Sequence, residues 1–191
     1  MSRPHLRNGP YGYGLVTKTL HWLLVAAFTA QFAVGYLLDG EESGHGRGRG
    51  RGRGGESGHG RGQGRGGGYD VFGDDSLLTL HVALGATILT LGLVRLLWRL
   101  TTPLPPWAPT LTAVERRLAT WTERALHFLT FAVPLSGLWL IAADDDALPW
   151  HIAGHAAFFA ALTLHVGLVL KHQLLDRDHL LLRMLWGRTT P

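Results

Sequence analysis

The sequence predicts an all-α protein, an integral membrane four-helix bundle that forms one domain over residues 1–191. Four stretches are almost free of charged residues, and each is about 20 residues long, the length that crosses the hydrocarbon core of a bilayer. Every face of these stretches carries Leu, Val, Ala or Phe, whereas a soluble bundle needs polar outer faces. The four stretches are Leu15–Leu38, Leu77–Trp98, Leu126–Ala143 and His151–Leu170.

The first stretch has the position of a secretory signal peptide, but two features favour a helix of the mature protein. It is longer than the apolar region of such a signal, and no small-residue cleavage site follows it. We therefore expect it to be the first membrane-spanning helix.

A Gly-, Arg- and His-rich loop, residues 39–75, connects the first two helices. The segment ESGHGRG occurs in it twice, at residues 42–48 and 56–62. Low-complexity, Gly-rich composition is typical of a flexible, solvated linker. Two alternatives are weak metal binding by His45 and His59 and attraction of small anions by the arginines of the loop.

The distribution of Lys and Arg predicts the orientation. Of the 18 Lys and Arg residues, six lie in loop 39–75, and the other twelve lie in or near the N-terminal segment, the second connection and the C-terminal segment. The positive-inside rule therefore places both termini in the cytoplasm. Loop 39–75 is then outside the cytoplasm, which argues against nucleic-acid binding by its Arg-Gly repeats.

The chain contains no cysteine. This excludes disulfides, iron–sulfur clusters and covalent attachment of a c-type haem. Any metal chemistry must use histidine, carboxylate or a cofactor that is held without a covalent link.

Four histidines fall inside the apolar stretches and pair by depth. His165 follows His151 by fourteen residues, which is ~21 Å along a helix and within about 40° of the same face. With alternating helix directions, His21 matches the inner level of His165, and His81 matches the outer level of His151. A lone histidine could simply bond to a neighbouring helix, but two facing imidazoles suit bis-histidine ligation of a non-covalent haem b. The sequence therefore predicts two such haems, one above the other.

The same spacing of fourteen residues recurs from His21 to Gly35 and from His81 to Arg95. Gly35 would leave room for a macrocycle at the outer level, or it could serve ordinary helix packing. Arg95 would offer its guanidinium to a haem propionate at the inner level, or it could be a positively charged anchor at the membrane surface.

The chain contains the segments TLHWLL, LHVALG, LVRLLWRLTTPLPPWAP, VPLSGL, WHIAGHAAFFAALTLH and LLLRMLWG. Together they resemble the bacterial cytochrome b561 family, which is related to the b-type cytochrome subunits of nickel–iron hydrogenases. The resemblance covers the chain except for the loop, and it implies a location in the bacterial inner membrane. It implies four helices, two haems b, and axial ligands at the positions of His21, His81, His151 and His165. It also implies electron transfer between a donor and membrane quinone, with superoxide as the donor in at least part of the family.

The sequence departs from the pattern of the family in helix 3, where Glu123 stands in place of a frequent histidine and His127 in place of a frequent tyrosine. We expect no iron ligand from this helix. His155 and His172 share the inward sector of helix 4. Either could replace its neighbouring histidine as a ligand, but we expect His155 to line the outer haem pocket or a quinone site, and His172 to reach the inner membrane surface.

Three functions agree with these features. The first is a diheme oxidoreductase that moves electrons between a small anionic donor and quinone. The second is a haem subunit that relays electrons for a partner redox protein, such as a hydrogenase or dehydrogenase. The third is a metal transporter with His45 and His59 as an external trap, which the two ligand pairs argue against because a transporter has no need of them.

Overall fold

The computed structural model describes residues 5–10, 12–45, 76–108, 110–143, 147–178 and 180–185. Within these ranges the regular structure is helical: α1 (Leu15–His45), α2 (Ser76–Thr101), α3 (Ala113–Ala143), α4 (Leu148–Leu174) and the short α5 (Leu180–Leu185). The first four helices are each long and apolar enough to cross a membrane. The predicted all-α membrane bundle is therefore confirmed, while the side on which the termini lie stays a prediction. Residues 46–75, most of the Gly/Arg/His-rich loop, lie outside the described residues.

Helices α1 to α4 run in alternating directions. Gln31 and Gly35 near the end of α1 contact His81 near the start of α2, and Thr17 at the start of α1 contacts Trp98 near the end of α2. We call the end of the bundle where α1 and α3 begin the terminal end. The opposite end, where α1 ends and α2 begins, is called the loop end.

Apolar side chains fill the middle of the bundle. The most buried cluster joins all four long helices and consists of Leu24, Phe28, Ile88, Leu129, Val133 and Phe158. The rings of Phe28 and Phe158 stack with centroids 4.4 Å apart, which closes α4 against α1. On the outside, large apolar side chains such as Phe128 and Leu100 are more than two-thirds exposed, as expected where the surrounding solvent is lipid.

Helices α2 and α3 approach closely at a glycine. A Cβ on Gly92 would lie 2.8 Å from Cγ2 of Thr130, so a larger residue would push the helices apart. Small residues at such contacts are typical of helix packing in membranes. Pro134 lies inside α3, where its missing N–H removes one hydrogen bond of the helix.

The N-terminal segment folds back over the terminal end. The side chain of Asn8 donates to the carbonyl of Pro103 and accepts from the backbone N–H of Gly14 and the hydroxyl of Thr17. A Cβ on Gly14 would overlap the carbonyl carbon and oxygen of Arg7. Only glycine fits this position, because the obstructing atoms are backbone.

Polar contacts join the other segments at the terminal end. Thr112 and Glu115 form a reciprocal cap at the start of α3. The second oxygen of Glu115 accepts from Nζ of Lys171, which also contacts Asp176. These contacts attach the end of α4 to the start of α3.

Candidate functional site

Two of the predicted site histidines face each other at the loop end. The ring centroids of His81 on α2 and His151 on α4 are 6.5 Å apart, and the ring planes make an angle of 78°. Both residues line a small open cavity of about 80 Å³, together with Gly85, Pro134 and Gly137. The pair predicted from depth is thus brought together by the fold.

A glycine lies beside each of the two rings. A Cβ on Gly35 would lie 3.4 Å from Cε1 of His81, and a Cβ on Gly137 would lie 3.0 Å from Cε1 of His151. Gly35 therefore lies at the predicted level. Gly137 was not predicted, since a glycine in an apolar helix has no local signal that distinguishes a ring contact from ordinary packing.

Hydrogen bonds fix the protonation of His151. Its Nδ1 lies 3.1 Å from the backbone oxygen of Val133 and 2.9 Å from Oγ of Ser136. A carbonyl oxygen only accepts, so Nδ1 must carry the proton and Nε2 keeps its lone pair. This is the tautomer that a metal ligand needs, and a carbonyl partner on the other nitrogen is typical of metal-bound histidines.

Gln31 on α1 contacts the second ring of the pair. Its Nε2 lies 3.0 Å from Nε2 of His81, while its Oε1 is buried and has no hydrogen-bond partner among the described residues. Sequence analysis did not single out Gln31, although a lone amide within an apolar helix was a usable signal.

The terminal end contains the other two predicted histidines and Arg95. Nη1 of Arg95 lies 3.0 Å from Nδ1 of His21. His165 is close enough to interact electrostatically with His21, Arg95 and Glu123. Arg95 thus lies at the level that the sequence predicted for it.

Further charged and polar groups surround Arg95. Glu123 pairs with Arg99, with 3.1 Å between the charged atoms. Burial raises the pKa of the Tyr13 hydroxyl, and the nearby carboxylate of Glu123 adds to this effect, although Arg183, Arg99 and Arg95 oppose it. Tyr13 therefore stays protonated at neutral pH and adds no negative charge.

The remaining histidines of α3 and α4 have other surroundings. The ring of His155 lies 4.3 Å from that of His151 and 5.3 Å from that of Phe32, so it adjoins the loop-end site. His127 donates from Nδ1 to the carbonyl of Glu123 within its own helix.

The expectation that His172 reaches the membrane surface was wrong. The residue is only 1% exposed, because Nδ1 contacts carboxylate oxygens of Asp178 and Asp176, which follow α4 and fold back over it.

Comparisons with known proteins agree with this architecture. A family model described as prokaryotic cytochrome b561 matches residues 12–187. The chain belongs to this family. It is also 24% identical over 201 residues to cytochrome b561 homolog 2 of Escherichia coli (strain K12), and the match covers 93% of each chain. The protein is therefore a membrane haem protein of the cytochrome b561 type, and this family binds haem b.

The residues at the loop end fit a haem of this kind. Metal–imidazole bonds are about 2 Å long and the ring centre lies about 1 Å beyond its nitrogen, so two rings on one metal ion have centroids about 6 Å apart. The 6.5 Å between His81 and His151 agrees with this distance. At the terminal end, Nη1 of Arg95 donates to Nδ1 of His21, so the ring of His21 carries its proton on Nε2 and would have to release Arg95 to bind iron through Nε2. The other N–H donors of Arg95 remain for a carboxylate.

Proposed function

We propose that this cytochrome b561-type protein holds two haems b and moves electrons between a donor and membrane quinone. His81 and His151 would hold one haem at the loop end, and His21 and His165 would hold the other at the terminal end. The observation that carries the proposal is the facing pair of His81 and His151, whose separation suits two ligands of one iron. A bound haem supplies an iron that accepts and releases one electron at a time.

The residues around the histidines make both sites suitable for haem. The carbonyl of Val133 keeps Nε2 of His151 unprotonated and aims the ring. Gly35 and Gly137 keep the space beside both rings free of side chains. The donors of Arg95 that remain beside His21 are available to a propionate.

The partners follow from the surroundings of the bundle. The exposed apolar faces are suited to lipid and to an apolar quinone that diffuses within it. The donor would be a small anion, with superoxide as one candidate, or a partner redox protein. Loop 39–75 and its arginines would meet such an anion at the loop end.

Haem quantitation in ligand variants tests the proposal. The purified wild-type protein should contain two haems b per chain in a pyridine haemochrome assay. His21→Ala and His165→Ala should each lose one haem, and His81→Ala and His151→Ala should each lose the other, as distinguished by redox titration. His172→Ala is the matched control, because this histidine is buried among carboxylates, and it should keep both haems. A wild-type content of one haem per chain, or the loss of a haem in His172→Ala, would contradict the proposal.

The partner prediction needs a separate measurement. Quinol or superoxide, added to the oxidised two-haem protein in detergent, should produce the absorption spectrum of reduced haem b. If neither reagent does so, and a second protein copurifies from native membranes, the chain is instead the haem subunit of a larger complex.

A further inference from the structure

The ring of His172, at the end of α4, is buried with one of its two nitrogens unpaired. The side chain is 1% exposed. Nδ1 lies 2.8 Å from a carboxylate oxygen of Asp178 and 3.0 Å from one of Asp176. An ionised carboxylate only accepts, so Nδ1 carries a proton. Nε2 is buried and has no hydrogen-bond partner among the described residues. Native proteins leave few buried polar atoms in this state, and an unmodelled ion is one of the usual reasons.

The unpaired nitrogen faces a carboxylate of α3. Oε1 of Glu115 lies 3.8 Å from Nε2 of His172, which is too far for a hydrogen bond. Two ligand atoms that each lie about 2.0–2.2 Å from one zinc ion are about 3–4 Å apart, so the separation suits a metal ion between them. Ligand atoms of His172, Glu115 and Asp176 all lie within 4.8 Å of one another. Imidazole and carboxylate are both ligand types of zinc.

Outer contacts hold two of these side chains in position. Thr112 donates through its backbone N–H and its hydroxyl to Oε2 of Glu115, which leaves Oε1 on the side of His172. The hydroxyl of Thr110 donates to the same oxygen of Asp178 that contacts Nδ1 of His172. A metal-bound histidine typically donates its other ring N–H to a carboxylate in this way. The surroundings that orient a metal ligand are therefore present.

A cation of the protein itself lies between the carboxylates. Nζ of Lys171 is 2.6 Å from Oε1 of Glu115 and 2.6 Å from an oxygen of Asp176. The side chain of Lys171 is 41% exposed, so its ammonium can turn into solvent. It balances one of the three negative charges of Glu115, Asp176 and Asp178, and a divalent ion would balance two. The lysine is therefore a competitor that a divalent ion can displace.

We propose that His172, Glu115 and Asp176 bind a divalent cation of the zinc type, which displaces the ammonium of Lys171 and joins the end of α4 to the start of α3. Nε2 of His172 is the metal-binding nitrogen, and Asp178 orients the ring through Nδ1. The site lies apart from the facing histidines of the loop end and does not depend on how many haems the chain holds. A bound ion stabilises the folded protein, because it binds the folded state in preference to the unfolded one.

Zinc binding to the full-length protein in detergent, purified without a histidine tag, tests this proposal. In equilibrium dialysis, His172→Gln, Glu115→Gln and Asp176→Asn should each bind zinc at least about tenfold more weakly than the wild type. Zinc should also raise the thermal unfolding midpoint of the wild type more than that of these variants. Lys171→Met removes the competing ammonium and should bind zinc several-fold more tightly, a gain that a damaged fold cannot produce.

Two controls separate this site from other sources of zinc binding. Glu123→Gln removes a carboxylate of α3 that pairs with Arg99 instead, and it should bind zinc as the wild type does. Replacing both loop histidines, His45 and His59, with alanine should leave the site intact.

The inference is overturned by wild-type affinity in His172→Gln, by unchanged or weaker binding in Lys171→Met, or by loss of zinc binding in the loop variant. If a ligand variant fails to fold, Lys171→Met and the midpoint of the wild type with zinc decide the question. The haem content of the same samples tests the proposed function separately.

Discussion

Replacing Gly137 with alanine should weaken haem binding at the loop end. The new Cβ would lie 3.0 Å from Cε1 of His151, whereas carbon atoms in favourable contact are about 3.5–4.0 Å apart, so the ring must move by a few tenths of an ångström. Its hydrogen bonds to Val133 and Ser136, at 3.1 and 2.9 Å, would stretch beyond the usual range. Disturbing such outer contacts of a metal ligand typically lowers affinity about 10- to 100-fold.

The same substitution has two opposing effects on stability. Alanine is favoured over glycine in a helix by about 1 kcal/mol, while overpacking typically costs about 1–3 kcal/mol. We expect overpacking to win by up to about 2 kcal/mol, because neighbouring hydrogen bonds restrain the ring of His151.

Gly167→Ala is the matched control for this experiment. Gly167 lies in α4, and a Cβ placed on it meets nothing within 4 Å. This variant should keep both haems and unfold in detergent at the wild-type temperature or slightly above it. Haem per chain and the thermal unfolding midpoint would be measured for both variants. Wild-type haem content and stability in Gly137→Ala would show that His151 is not held as described here.

Three further predictions concern the ends of the bundle. Gly14→Ala should destabilise the protein by about 1–3 kcal/mol, because the new Cβ would overlap the carbonyl group of Arg7; an unchanged thermal midpoint in detergent would contradict the close contact. Lys171→Met should change the free energy of unfolding little, since the pairs of Lys171 with Glu115 and Asp176 are partly exposed, and a clear loss measured by denaturant unfolding would mean that the pairs act as one network. Replacing six loop arginines with serine should slow haem reduction by an anionic donor at low salt but not at high salt. Equal stopped-flow rates at low salt would mean that the loop acts only as a linker. The six are Arg47, Arg49, Arg51, Arg53, Arg61 and Arg65.

The four spans and the meeting of His81 with His151 could be predicted from the sequence, because both follow from hydropathy and helix periodicity. The start of α3 was missed. The structure begins this helix at Ala113, whereas the apolar run begins at Leu126, since the first turns carry charged residues that hydropathy excludes. The reciprocal cap of Thr112 and Glu115 was the available signal.

Contacts between helices could be predicted less well from the sequence. Which ring faces Gly137, or which amide reaches His81, depends on how two helices are rotated against each other, and no local pattern encodes that rotation. The burial of His172 could not be predicted for the same reason. Its acidic partners come from the segment after α4, and their return path over the helix is a tertiary feature.

The apolar layer in the middle of the bundle has a consequence for energy conversion. The residues of this layer, from Leu24 on α1 to Phe158 on α4, include no side chain that can bind or release a proton. An electron can tunnel across such a layer, but a proton needs a chain of water or titratable groups, which these residues do not provide. Electron movement between the two ends would therefore separate charge across the membrane and contribute to its voltage.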